Sequence, residues 1–186
     1  MANYETCKNV IYSNFADQRA VETAVKELQK LPEKMVKEFA DNDWHIYISK
    51  NSIETHIGER KPKDFTEPHI CGITFWEARI IIVPINNTKY VSSKYNDIIL
   101  SLVHEFGHYL DRSKGYQSQS YTFQNIYDSE GQRFCEVLCT ASNTRDSFEY
   151  FAEAFAEYVR CKERLEEVVP RTYNYLKKIF SEYEEG

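Results

Sequence analysis

The sequence has little of what marks several large protein classes. Its five cysteines, Cys7, Cys71, Cys135, Cys139 and Cys161, are an odd number scattered over 186 residues. A disulfide scaffold needs a dense, paired set, so reduced thiols in a cytosolic setting are expected. Cys135 and Cys139 stand four apart, but no second Cys/His pair lies nearby, and they read as buried core thiols. Long apolar runs are missing as well. The longest, Ile80 to Val83, is far short of the ~20 residues that cross a bilayer as a helix. Met1-Ala2-Asn3-Tyr4-Glu5-Thr6-Cys7 shows no basic stretch followed by an apolar one, so no signal peptide is visible. A cytoplasmic protein is expected, or a secreted one if a leader has been removed. Positive charge is in short supply: the net charge is -6. Phosphate binding needs clustered Lys and Arg, so nucleic acid is not an expected partner, and neither is a membrane. The charge permits a basic peptide. No internal repeat or low-complexity segment occurs.

What is present points to one folded domain over residues 1–186. At 42% hydrophobic and 15% aromatic, the chain is too apolar for global disorder. Its length suits a single core, and a monomer is expected.

The most informative stretch is His104-Glu105-Phe106-Gly107-His108. Positions i and i+4 share one face of a helix, so the two histidines can point at one metal ion. Glu105 projects about 100° around the axis and can reach a water on that ion. The pattern H-E-x-x-H is that of a zinc hydrolase with a carboxylate general base. The lead-in from Tyr95 has no Pro or Gly, and Ile99, Leu102, Val103, Phe106 and Leu110 recur at helical period. Asn96 or Asp97 suits the N-cap. Gly107 costs about 1 kcal/mol against Ala inside a helix, and allows close approach of a neighbouring backbone. The plain alternative is an amphipathic helix with two surface histidines.

A catalytic zinc usually keeps three protein ligands. The best source of the third is a second helical stretch from Asp146, with apolar Phe148, Phe151, Phe155 and Val159. Glu149 and Glu153 form an i, i+4 pair there. The small residues Ala152 and Ala156 let that face pack closely on another helix. Alternatively, Glu149 completes a capping box with Asp146, and Glu153 and Glu157 form a solvated stripe.

Taken together, the H-E-x-x-H stretch and Glu149-Tyr150-Phe151-Ala152-Glu153-Ala154-Phe155 resemble the catalytic domain of the anthrax lethal factor family of zinc metallopeptidases. The secreted Pro-Pro endopeptidases are similar. The resemblance is strongest over residues 95 to 160, and upstream it extends to the order of elements. It implies an α+β, zincin-like fold in which a small mixed sheet packs against the helices carrying H-E-x-x-H and the third ligand. It implies Zn²⁺ bound by His104, His108 and Glu149, with Glu105 as the base, a gluzincin arrangement acting on a peptide or protein. It makes Glu153 a group that hydrogen-bonds a ligating histidine, a common arrangement at metal sites. Asp111, one turn beyond His108, is a candidate for the same role. The family carries a tyrosine seven residues before the third ligand, where it steadies the oxyanion. Here Ser142 holds that position, and no tyrosine lies between Tyr127 and Tyr150. Tyr127 and Tyr121, on the intervening loop, are the nearest substitutes.

The remaining chain reads as follows. Residues 15 to 40 are helical, with Pro32 kinking the helix or starting a second one. Residues 44 to 49 alternate as a strand, where His45 is structural. Residues 50 to 70 are a loop with a short strand at 53 to 57, and neither His56 nor His69 has an assigned role. Residues 70 to 75 and 79 to 83 form a hairpin around Trp76-Glu77-Ala78, ended by Pro84, and its edge suits an extended peptide. Residues 112 to 125 read as a polar surface loop, and 126 to 140 as a helix interrupted near Gly131. Pro170 separates the ligand helix from a last helix with apolar Tyr173, Leu176, Ile179 and Phe180, and residues 182 to 186 are expected to fray.

Three functions compete. The first is a zinc metalloendopeptidase. The second is a zinc-binding, catalytically impaired relative, for which Ser142 speaks. The third is a protein-interaction module with a chance motif, which predicts no zinc.

Overall fold

A computed structural model of the chain describes residues 1–13, 17–49, 72–85, 96–138 and 146–184. Several expectations lie outside these residues: the loop and short strand at 50–70, His56, His69, Cys71, Cys139 and Ser142. So do the side chains of Asn96 and Asp97.

The described elements are α1 (Tyr4–Asn9), β1 (Ile11–Ser13), α2 (Gln18–Leu28), α3 (Glu33–Asp41), β2 (His45–Ser49), β3 (Ile73–Phe75) and β4 (Ile80–Pro84). Then come α4 (Asn96–Ser113), a 3₁₀ turn (Gln117–Gln119), α5 (Tyr121–Val137), α6 (Ser147–Val168) and α7 (Pro170–Glu184). This is the α+β class expected, with a small mixed sheet. The chain divides into two compact units, Met1–Glu105 and Phe106–Gly186, with the division inside α4.

The first unit carries the sheet, in strand order β1-β2-β4-β3. β1 and β2 are parallel, β2 and β4 are parallel, and β3 runs antiparallel to β4. β2 alternates as its sequence requires: Ile46 and Ile48 are buried, while His45 and Tyr47 are half-exposed. β4 lies between two strands, and Ile81, Ile82 and Val83 are all buried. The expected hairpin is present, but Arg79 belongs to its turn with φ 52°, not to the strand. Trp76 closes the turn, accepting from the Arg79 N–H and setting its ring edge-on to Trp44 at 4.6 Å. Pro32 starts a second helix: it takes the N-cap place of α3 with φ -57°. Leu28, Leu31, Met35, Val36 and Phe39 are buried, as helical period predicts.

The second unit is helical. α6 buries Tyr150, Phe151, Ala152, Ala154, Phe155 and Ala156, and breaks at Cys161, where the backbone is non-helical (φ -154°, ψ 75°). Pro170 opens α7, whose buried residues include Tyr173, Leu176, Ile179 and Phe180. α7 continues through Tyr183, which is buried, so the expected fraying does not begin at 182. The polar loop read over 112 to 125 is shorter than expected. α4 ends in a Schellman motif: the Gly115 N–H donates to Arg112 O and the Tyr116 N–H to Asp111 O. Gly115 holds the left-handed conformation this requires, φ 82°, and Tyr116 follows at φ 60°. Ser120 then caps α5 through Phe123 N. α5 runs unbroken through Gly131, because the Tyr127 ring fills the space where a Cβ would stand, 2.8 Å from its Cδ2. On α5, Cys135 is half-buried, not a core thiol.

Candidate metal centre

His104 and His108 lie one turn apart on α4 and Glu149 lies in the first turn of α6. The three offer ligand atoms that all fall within 4.8 Å of one another. His108 is buried, while His104 and Glu149 are half-buried.

Small residues explain how Glu149 reaches this place. A Cβ on Gly107 would stand 3.0 Å from Ala152 Cα, 3.2 Å from Ala152 O and 3.2 Å from Phe155 Cδ1. The absent side chain of Gly107 therefore lets the backbones of α4 and α6 touch, the close approach that Gly107 and Ala152 forecast. Glu149 then sits with Oε1 3.6 Å from His108 Nε2. The Phe148 ring stacks on the His108 imidazole at 4.2 Å and 21°. Asp146 caps α6, accepting from Phe148 N and Glu149 N. The capping and ligand readings of Glu149 are thus compatible. Its N–H serves the cap, and its carboxylate faces His108.

A separation of 3.6 Å is longer than a hydrogen bond. It is close to the roughly 3.4 Å between two ligand atoms on one tetrahedral ion with bonds near 2.1 Å. Two imidazoles and one carboxylate gathered within 4.8 Å are a donor set of the kind that holds a divalent metal ion.

The other expected residues fall at various removes. Glu105 is buried, and its Oε2 accepts a hydrogen bond from Thr74 Oγ1 at 2.7 Å. Asp111 is fully buried and accepts at Oδ1 from Ser118 N and at Oδ2 from the Ser118 hydroxyl. Burial raises its pKa, and the Ser118 bonds and the charge of His108 pull the other way. Both carboxylate oxygens of Asp111 are thus taken up by Ser118. Glu153 stands one turn after Glu149, half-buried. Tyr121 and Tyr127 lie on a helix, not a loop. Tyr121 is 86% exposed, whereas the Tyr127 ring packs on Tyr150, the residue after Glu149, at 5.3 Å. Burial, and then the charge of Asp146, raises the Tyr127 pKa.

Thr74 and Gly72 were missed in the sequence. Their signal, a glycine and a threonine two apart at the start of a hairpin, acquires meaning only once that strand lies against Glu105.

A family model described as anthrax toxin lethal factor, N- and C-terminal domain, matches residues 2–179. The chain belongs to the lethal factor family. Among solved structures, this family member is similar in fold to the Pro-Pro endopeptidase PPEP-2 from Paenibacillus alvei. The TM-score is 0.72 at 17% identity, covering 94% of this chain and 100% of that one. No curated protein matches the sequence.

Proposed function

We propose that this lethal factor family member is a zinc-dependent metalloendopeptidase of the gluzincin type, acting as one catalytic domain and as a monomer. The observation that carries the reading is the convergence of His104, His108 and Glu149 beside a buried, hydrogen-bonded Glu105. The similar fold of an enzyme named as an endopeptidase supports it.

His104, His108 and Glu149 would hold the ion. Zinc is the choice because two imidazoles and a carboxylate are a known catalytic zinc set. Bound there, zinc supplies Lewis acidity, polarising a carbonyl oxygen and lowering the pKa of water. Glu105 takes the proton from the attacking water and passes it to the leaving amine. Among the described strands β3 pairs only with β4, so its other edge can receive an extended peptide. Thr74 of that strand touches Glu105, which would bring such a peptide next to the base. Of the two tyrosines considered for the oxyanion, Tyr127 is the better placed, since it packs on the ligand helix while Tyr121 faces solvent. Its raised pKa keeps the hydroxyl a donor at neutral pH.

The test is a combinatorial peptide library incubated with the zinc-loaded chain and read by mass spectrometry, with Glu105→Gln alongside. Cleavage by wild type and its loss in the variant are expected. Equal cleavage by both would refute Glu105 as the base. No cleavage by wild type, with zinc bound, would favour the impaired relative, to which Ser142 points.

A further inference from the structure

Glu105 has a built seat. Thr74 lies in β3, and its hydroxyl is 2.7 Å from Glu105 Oε2 and 3.2 Å from the Glu105 backbone oxygen. A hydroxyl has one proton. The shorter contact, to a charged oxygen, falls at the length of charge-assisted O–H···O bonds. Thr74 is β-branched, so its χ1 is restricted and the strand fixes the hydroxyl.

Two residues earlier, extended chain returns to the same side. There stands Gly72. A Cβ at Gly72 would lie 2.7 Å from Glu105 Cγ, 2.9 Å from Oε1 and 3.1 Å from Cδ. The carboxylate arm of Glu105 occupies the volume that a side chain at 72 would fill. Thr74 acts on Oε2 and Gly72 makes room beside Oε1.

We propose that Gly72 and Thr74 form a socket that fixes the rotamer of Glu105, with Thr74 a positioning residue for the proposed base. This rests on the reading of Glu105 given above. With Oε2 held by the hydroxyl, Oε1 is the oxygen presented for proton transfer. A base must lie within hydrogen-bond reach of its proton, and a displacement near 1 Å can cost about a hundredfold in rate. A glutamate with three torsions needs such a seat if its position is to be reproducible.

Three variants of the full chain test this: Thr74→Val removes the hydroxyl at equal size, Thr74→Ser restores it, and Gly72→Ala puts a methyl where the Glu105 arm lies. Each is loaded with Zn²⁺ alone, its metal content is measured, and kcat and KM are determined on the library peptide cleaved fastest. Thr74→Val should lose kcat about ten- to hundredfold, with KM and zinc content near wild type. Thr74→Ser should recover most of that loss, and Gly72→Ala should lose at least as much as Thr74→Val. A second readout needs neither metal nor turnover. In the metal-free chain, Thr74→Val should lower Tm, and the shift should shrink on a Glu105→Ala background. Wild-type kcat in Thr74→Val, where Glu105→Gln is inactive, would overturn the socket and leave the base intact. Additive Tm shifts would also overturn it. Full turnover in Glu105→Gln would overturn both.

Discussion

Glu105 and Glu130 are equally buried, at 7% and 8% exposure, yet their surroundings are opposite. Glu130, on α5, accepts three hydrogen bonds: Arg171 N at Oε1, and Thr172 N and Oγ1 at Oε2. Both oxygens are engaged at the N-terminus of α7, where the helix dipole favours a negative charge. Thr172 also contacts the Tyr150 hydroxyl, linking α5, α6 and α7. Glu105 has one side-chain donor among the described residues, Thr74, and a side-chain-free glycine on its other flank. A buried carboxylate with both oxygens engaged by three donors is fixed for stability. One with a single described side-chain donor, seated against a glycine, is matched less fully and costs more in desolvation.

Substitution at each carboxylate should separate the two roles. The largest effect belongs to Glu105→Gln, which should lower kcat by about 10²–10⁴-fold while zinc content stays at the wild-type level. Stability lost without a change in kcat would place Glu105 beside Glu130 as a structural group. Next comes Glu130→Ala, expected to cost about 2–4 kcal/mol in urea unfolding, since it strips a charged acceptor from buried donors. Turnover per folded molecule should not change. If kcat fell instead, the division between the two residues would be false.

Gly107→Val tests the ligand side. Its side chain would meet the Ala152 backbone, which cannot swing aside as a side chain can. Overpacking of this kind costs about 1–3 kcal/mol, and zinc affinity should fall with it as Glu149 is pushed from His108. A variant that kept full zinc affinity would show that the α4–α6 contact does not set the ligand.

Asp111 is an intermediate case and should give the smallest effect. Its carboxylate is fully buried and bonded to Ser118, and burial raises its pKa above 3.8. A raised folded pKa means the folded state binds the proton more tightly. Its contribution is therefore complete below about 3.8 and is lost as pH rises through the folded value. In the metal-free chain, wild type should lose stability relative to Asp111→Asn as pH climbs from that point. A gap that widened in favour of wild type would contradict this.

How far the sequence reveals the molecule depends on the range of the signal. His104, Glu105 and His108 are legible from their spacing within one helix, and Glu149 from the small Ala152 and Ala156 on its own helix together with the resemblance of the Glu149–Phe155 stretch. Pro32 and Pro170 mark helix starts because they lack the N–H that a first turn leaves unused. α1 and β1 escape detection: six and three residues are too few for a period, and β1 exists through its pairing with β2. The start of α5 looks like loop because only Phe123, Ile126, Glu130, Gly131 and Phe134 are buried, and two of these are not apolar. Gly131 suggests a break, but the Tyr127 ring shields it. The seat of Glu105 is tertiary, built from residues 31 and 33 positions upstream of it.

The most direct test is elemental analysis of the purified chain, wild type beside Glu149→Ala. The account predicts about one zinc per wild-type chain and a marked loss in the variant. No zinc in wild type after reconstitution, or equal zinc in both, would contradict it.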